Sequence, residues 1–108
     1  MAIADADYFD WPVLPEAPSS LTAAVAGNSV TLSWQVHGGE PQHIVIDRRE
    51  DSATGRAAWH RLAELRSSAT DYSDASLSKG QQASYRVRAT NADGESAYSN
   101  IVRIRVTP

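Results

Sequence analysis

The chain has 108 residues, with ten Lys and Arg against thirteen Asp and Glu, for a formal net charge of −3. That length is one domain, able to bury about 65% of its unfolded surface in a single core without staples. Cysteine is absent, which excludes disulfides, thiolate metal sites and thiol nucleophiles. The longest apolar run is far too short to cross a bilayer, so no membrane insertion is expected. Met1-Ala2-Ile3-Ala4-Asp5 has neither the basic nor the apolar region of a secretory signal. The expected setting is therefore a virion or the cytoplasm if the protein is complete, and outside the cell if it is a domain excised from a secreted protein. Charge is segregated: residues 1–47 hold six acids and no Lys or Arg, and residues 48–108 hold ten bases and seven acids. A mildly acidic chain lacks the phosphate-neutralising cations that nucleic-acid affinity needs.

Residues 1–17 are acidic, aromatic and punctuated by Pro12 and Pro15, with Pro18 at their end. Proline at this density prevents a helix or central strand and favours extended backbone. Disordered tails are poor in aromatics, yet this segment holds Tyr8, Phe9 and Trp11, three of the eight aromatics of the chain. They are the expected anchors of an N-terminal arm that docks on its own domain or on a neighbour; the competing expectation is a linker.

From residue 19 the apolar period is two. Val30, Leu32 and Trp34 alternate with Thr31, Ser33 and Gln35, the pattern of a half-buried strand, after a turn at Ala26-Gly27-Asn28. His37-Gly38-Gly39-Glu40-Pro41 breaks the chain before Ile44-Val45-Ile46. A loop at Asp51–Gly55 precedes Trp59, Leu62 and Leu65, an apolar series around a short strand. Thr70-Asp71-Tyr72 starts another strand, and Tyr85, Val87 and Ala89 alternate with Arg86 and Arg88. Asn91-Ala92-Asp93-Gly94 is a hairpin turn, and Val102, Ile104 and Val106 alternate with Arg103 and Arg105. About seven short strands and no helix predict an all-β, seven-stranded antiparallel β-sandwich, immunoglobulin-like, over residues 18–108.

Over that span the sequence resembles the fibronectin type III family, in particular its bacterial and phage branch. Pro18…Leu21, Val30-Thr31-Leu32-Ser33-Trp34, Ile44–Arg48 and Trp59–Ala63 match its first strands in order. Tyr72-Ser73-Asp74, Leu77, Gly80, Tyr85–Asn91, Gly94-Glu95-Ser96 and Ser99 carry the densest match. The family's tyrosine three residues after the matching glycine, whose hydroxyl ties the corner between strands, is replaced by Ala83. Either the corner is held another way or the match slips by two residues to Tyr85. Arg-Gly-Asp is absent, so the resemblance carries no integrin-binding implication.

No catalytic residues, metal or cofactor are expected. His37, His43 and His60 have no ligand spacing for a metal, and no nucleophile elbow or phosphate loop is present. A small filled sandwich also lacks room for a substrate cavity of about 300 Å³. Carbohydrate binding is a weak reading, since Trp34 belongs to the core, Trp59 is expected half-buried and only Tyr98 is a good candidate for stacking on a sugar. With Ile44, Ile46, Tyr85 and Val87 inward, the alternation points Val45, Asp47, Arg49, Arg86, Arg88, Arg103 and Arg105 outward. Like charges facing each other across strands repel, and either Asp47 or the acidic arm, with Asp5, Asp7, Asp10 and Glu16, is the expected offset. Arg49, Arg86, Arg88, Arg103 and Arg105 are thus expected either to solubilise an exposed face or to meet a protein partner or the acidic arm.

The resemblance and the missing site together imply a non-catalytic protein-binding or structural module. One expectation is a surface or decorating component of a larger assembly such as a phage particle, contacting its assembly subunits and anchored by its arm. The other is an accessory or spacer domain of a secreted bacterial carbohydrate-active enzyme or adhesin.

Overall fold

The computed structural model describes residues 12–52 and 55–108, with residues 52, 55 and 56 described by their backbone alone. Tyr8, Phe9 and Trp11 lie outside the described residues. The strands are β1 (Ser19–Ala26), β2 (Ser29–Gln35), β3 (His43–Ser52), β4 (Gly55–Arg56), β5 (His60–Arg66), β6 (Asp71–Asp74), β7 (Gln82–Asn91), β8 (Gly94–Glu95) and β9 (Val102–Arg105). Seven have four or more residues, and β4 and β8 are two-residue pieces. They form two antiparallel sheets. One has the order β1-β2-β6. In the other, β3 pairs with β4, β5 and β7, and β7 also pairs with β8 and β9.

Each alternation read in the sequence has its physical outcome in the core between the sheets. Val30, Leu32 and Trp34 of β2 face Ile44, Ile46, Tyr85, Val87 and Ala89 of β3 and β7, all buried. Burying each large apolar side chain contributes about 1.5–3 kcal/mol. The Trp34 indole keeps a partner by donating Nε1–H to the Ala69 carbonyl at 3.0 Å. Tyr72 is half-buried against the same core.

Three local expectations are corrected. Trp59 precedes its strand, which starts at His60. The three-residue spacing of Trp59, Leu62 and Leu65 reflects a bulge: Ile46 pairs with Ala63 but Asp47 pairs with Arg61, so Leu62 is the extra residue. Val45 is on the outward side, yet it is buried, as is Asp47, which Arg86 Nε approaches at 3.3 Å. The repulsion expected between the arginines of β7 and β9 is avoided by register. Arg103 is opposite Ser84 and Arg105 opposite Gln82, so neither faces Arg86 or Arg88.

The corner before β7 is held another way, without slippage. Ala83 and Tyr85 are both buried in β7. The Ser78 N–H donates to Gln81 Oε1 at 3.0 Å, and the Gln81 N–H returns to the Ser78 carbonyl at 3.1 Å. Gly80, at φ +78°, donates its N–H to the Val106 carbonyl at 3.1 Å. Tyr85 reaches across the sandwich to Asp74 of the opposite sheet, its hydroxyl 2.6 Å from Oδ2.

The chain enters the sandwich along a strap. The Val13 N–H donates to Asp93 Oδ2 at 3.0 Å, and Asn91 Nδ2 donates to the Val13 carbonyl at 2.6 Å and the Gly39 carbonyl at 3.0 Å. The Glu16 N–H donates to the Gly38 carbonyl at 2.9 Å. Gly39, at φ +84°, lies so close that a Cβ there would sit 2.5 Å from the Leu14 carbonyl oxygen. Asn100 binds both the N–H and the carbonyl of Leu21 through its amide, each at 2.9 Å, and so joins β1 to the approach of β9.

Candidate functional site

Register places the candidate arginines. Asp47 is opposite Arg86, Arg49 opposite Ser84, and Val45 opposite Arg88, while β9 continues the same face with Arg103 and Arg105. All five arginines singled out in the sequence therefore share the outward face of the larger sheet. They do not form a bare cationic patch.

Two aromatic rings intercalate between them. Arg86 lies over the Trp59 ring at 4.2 Å and over the Tyr98 ring at 3.6 Å from the respective centroids. Arg49 is 4.7 Å from the Trp59 centroid and Arg88 is 4.8 Å from that of Tyr98. The result is a ladder: Arg49, Trp59, Arg86, Tyr98, Arg88. Guanidinium planes stack on aromatic faces through attraction to the ring quadrupole, about 0.5–1 kcal/mol per exposed contact.

Tyr98 is positioned by two serines. Ser96 Oγ accepts from the Ala89 N–H at 2.8 Å and Ser99 Oγ from the Val87 N–H at 3.1 Å. The Ser96 and Ser99 N–H groups donate to the Ala89 and Val87 carbonyls at 2.8 Å each. Three residues thus span two of β7, and the slack lifts Ala97 and Tyr98 over the arginines. Burial and the Asp47 carboxylate push the Tyr98 phenol above its ordinary value.

Carboxylates complete the face. Arg86 Nε lies 3.3 Å from Asp47 Oδ2 and Arg88 Nη2 2.6 Å from Glu95 Oε2. Arg103 Nε is 3.0 Å from Asp51 Oδ2, whose other oxygen lies 3.7 Å from Arg49 Nε. Arg105 has no ion-pair partner among the described residues. Both rings with any claim to stack on a sugar, Trp59 and Tyr98, are occupied by guanidinium planes.

A second polar cluster lies between the two sheets, around Asp74 of β6 and Tyr85 of β7. Asp74 accepts from Tyr85, from Ser76 Oγ at 2.7 Å and from Arg48 Nη1 at 2.7 Å. Burial alone raises its pKa, but these donors outweigh burial and hold the carboxyl at about 2. Burial and the neighbouring carboxylate keep the Tyr85 phenol protonated far above its ordinary range. Glu50 bridges Arg48 and His60, with His60 Nε2 at 2.8 Å. Asp74 of β6 thus ties the smaller sheet to Arg48 of β3 and Tyr85 of β7 in the larger one. His37 meets Ser19 Oγ at 2.6 Å and His43 lies 3.8 Å from Glu64, so the histidines have separate partners and do not converge. A depression lined by Glu40, Gln42, Asn91, Ala92 and Asp93 has a volume of about 100 Å³, below the roughly 300 Å³ of small-molecule sites.

Residues 16–105 match the fibronectin type III domain family. The chain belongs to the fibronectin type III family. Among solved structures, this fibronectin type III domain is similar to one described as a myokine structure, with 20% identity and a TM-score of 0.71, over 87% of this chain and 99% of that one. It is similar to domains A168–A170 of titin, with 24% identity and a TM-score of 0.71, over 88% of this chain and 33% of that one. It is also similar to a Fn3-like protein from Clostridium thermocellum, with 22% identity and a TM-score of 0.71, over 87% and 95% of the two chains. At these identities the likeness is one of fold. Fibronectin type III domains are generally non-catalytic, commonly act as structural or binding modules of larger proteins, and commonly mediate protein–protein interactions. No helix among the described residues is long and apolar enough to cross a membrane.

Proposed function

We propose that this fibronectin type III domain is a non-catalytic protein-binding module whose contact surface is the arginine face of its larger sheet. The observation that carries the reading is the Arg–Trp–Arg–Tyr–Arg ladder. It holds guanidinium groups in fixed planes, which removes the rotamer entropy that binding otherwise costs, and Arg, Trp and Tyr are the residues most enriched at binding hot spots. In this reading residues 1–17 are an arm that residues 13–16 strap to the domain and that, through Tyr8, Phe9 and Trp11, anchors it in a larger assembly such as a decorated particle. The alternative is an accessory or spacer domain of a larger secreted enzyme or adhesin; the same fold occurs as one part of a multidomain chain in titin A168–A170, where the match covers 33% of that chain.

Sedimentation velocity of the full chain, alone and with particle or filament fractions, tests the proposal beside the Arg103→Glu/Arg105→Glu variant. Both substituted side chains are exposed, but Arg103→Glu sets a second carboxylate beside the buried Asp51, so the variant is expected to melt lower and is compared with the full chain well below either melting temperature. Concentration-dependent association or co-sedimentation that the variant loses is the expected result. A full chain that stays monomeric and co-sediments with no fraction sinks the reading. Sedimentation with insoluble polysaccharide instead moves the assignment to the spacer domain.

A further inference from the structure

A strand at the edge of a sheet offers a row of unpaired backbone groups to any extended chain that passes it. Among the strands of four or more residues, β1, β5, β6 and β9 lie at edges, and two of these are blunted. On β1 the register breaks between Ser19 and Thr22, with Ser20 at φ +55°, and the Asn100 amide occupies both backbone groups of Leu21. β5 carries the bulge at Leu62. β6 and β9 are regular, four residues each. Of the large exposed apolar side chains, Val13, Leu14 and Ile101, one adjoins an edge strand directly: Ile101, 55% exposed, precedes β9.

β9 keeps one register with β7 from Val102 to Arg105, and Val106 donates its N–H to the Gln81 carbonyl at 2.9 Å. Val102, Ile104 and Val106 therefore turn their backbone groups to β7. These groups alternate in direction along an antiparallel strand. The N–H and carbonyl groups of Arg103 and Arg105 thus turn to the other side, where no strand among the described residues pairs with them. The side chains give this edge its chemistry. Val102 and Ile104 point inward and are half-buried, while Ile101, Arg103 and Arg105 form the exposed outward row. Arg105 is in no ion pair among the described residues, and Arg103 keeps 53% of its side chain exposed beside Asp51.

We propose that β9 is a strand-addition site: an extended segment of a protein partner pairs antiparallel with Val102–Arg105, its acidic side chains opposite Arg103 and Arg105 and its apolar ones opposite Ile101, Val102 and Ile104. This rests on the arginine face being the binding face, and it adds the form of the partner, a strand in which acidic and apolar residues alternate. Main-chain hydrogen bonds supply the affinity of such a pairing and alternate side chains its specificity. Opposite charges facing each other across the new pair add to both. A second copy of this chain fits the edge poorly. The registers that bring two β9 edges together set Arg103 against Arg103 or Arg105 of the neighbour, where like charges repel.

The probe is the capped peptide Thr-Glu-Val-Glu-Val-Ile-Thr, whose first glutamate falls opposite Arg105 and whose isoleucine falls opposite Ile101. In the full chain, the peptide is expected to slow amide hydrogen exchange at Arg103 and Arg105 and to leave Ile104, already paired with Ala83, unchanged. N-methylation of either glutamate of the peptide removes an N–H aimed at β9 and is expected to weaken binding by about tenfold or more. N-methylation of either valine, whose N–H points away from β9, is expected to leave the affinity within about twofold. Arg105→Glu is expected to weaken binding about fivefold, and a peptide with lysine in place of its first glutamate to restore it. Equal losses from N-methylation at glutamate and at valine overturn the inference, as do exchange rates at Arg103 and Arg105 that millimolar peptide leaves unchanged. The two proposals fail differently. If the face binds proteins through side chains alone, co-sedimentation still depends on Arg103 and Arg105 while the exchange rates do not respond to the peptide. If the peptide pairs with β9 but the chain co-sediments with no fraction, strand addition stands and the assembly reading falls.

Discussion

The Tyr85 hydroxyl of β7 donates a 2.6 Å hydrogen bond to Asp74 Oδ2 of β6, joining the two sheets through the edge of the core. Ala83 stands at the position of the family's corner tyrosine, and the Tyr85 phenol instead ties side chain to side chain between the sheets. Replacing Tyr85 by Phe removes the donor and keeps the ring. A buried charge-assisted bond contributes about 1.5–3 kcal/mol. Arg48 and Ser76 remain on the carboxylate, so a loss of about 1–2 kcal/mol is expected in urea unfolding at pH 7.

Acid stability reports on the same carboxylate. Asp74 titrates at about 2 in the folded state and near 3.9 unfolded. A depressed folded pKa contributes stability that is complete above the unfolded value and is lost as pH falls through about 4 toward 2. The contribution is about 2 kcal/mol. Asp74→Asn is expected to be less stable at pH 7 and to show a shallower decline of unfolding free energy between pH 4 and 2. A decline of unchanged steepness contradicts the assignment.

The strap makes a prediction that depends on its own presence. Gly39→Ala meets two costs: a positive φ, about 1 kcal/mol, and a Cβ driven against the Leu14 carbonyl oxygen. In a chain beginning at Ala17 the second cost disappears. The substitution is therefore expected to destabilise the full chain by more than about 2 kcal/mol and the shortened chain by about 1 kcal/mol. Equal effects in both chains would mean that residues 12–16 do not press on Gly39 in solution.

The ladder is expected to be cooperative. In a double-mutant cycle of Trp59→Ala and Tyr98→Ala, both rings contact the same Arg86 guanidinium, so the two losses are expected not to add, with a coupling of about 0.5–1 kcal/mol. Arg86→Lys is expected to lose most of the stacking, because an ammonium offers no plane for two rings. Strict additivity of Trp59→Ala and Tyr98→Ala argues against a shared partner.

Much of the architecture was legible along the chain. Val30-Leu32-Trp34, Tyr85-Val87-Ala89 and Arg103–Val106 each show a period of two, which a strand with one buried face imposes directly. The grouping of Arg49, Arg86, Arg88, Arg103 and Arg105 on one face follows from the same alternation once the strands are paired. Asp47 as a counter-charge was legible too, and it meets Arg86; the two rings between the arginines were not. Trp59 and Tyr98 stand outside regular strands, and a period carries no information there. Their intercalation depends on a bulge at Leu62 and on Ser96 and Ser99 taking the backbone partners of Val87 and Ala89. The motif Gly94-Glu95-Ser96…Ser99 was visible, but its consequence for Tyr98 was not.

The sequence by itself determined the fold class, the composition of the core and the sign of each segment, because burial and charge are read residue by residue. Only the tertiary structure decided register. Register is a relation between strands far apart in the chain. It set Arg103 against Ser84 rather than against Arg86, buried Val45 on the outward side, and brought Asp74 to Tyr85 and Leu14 to Gly39.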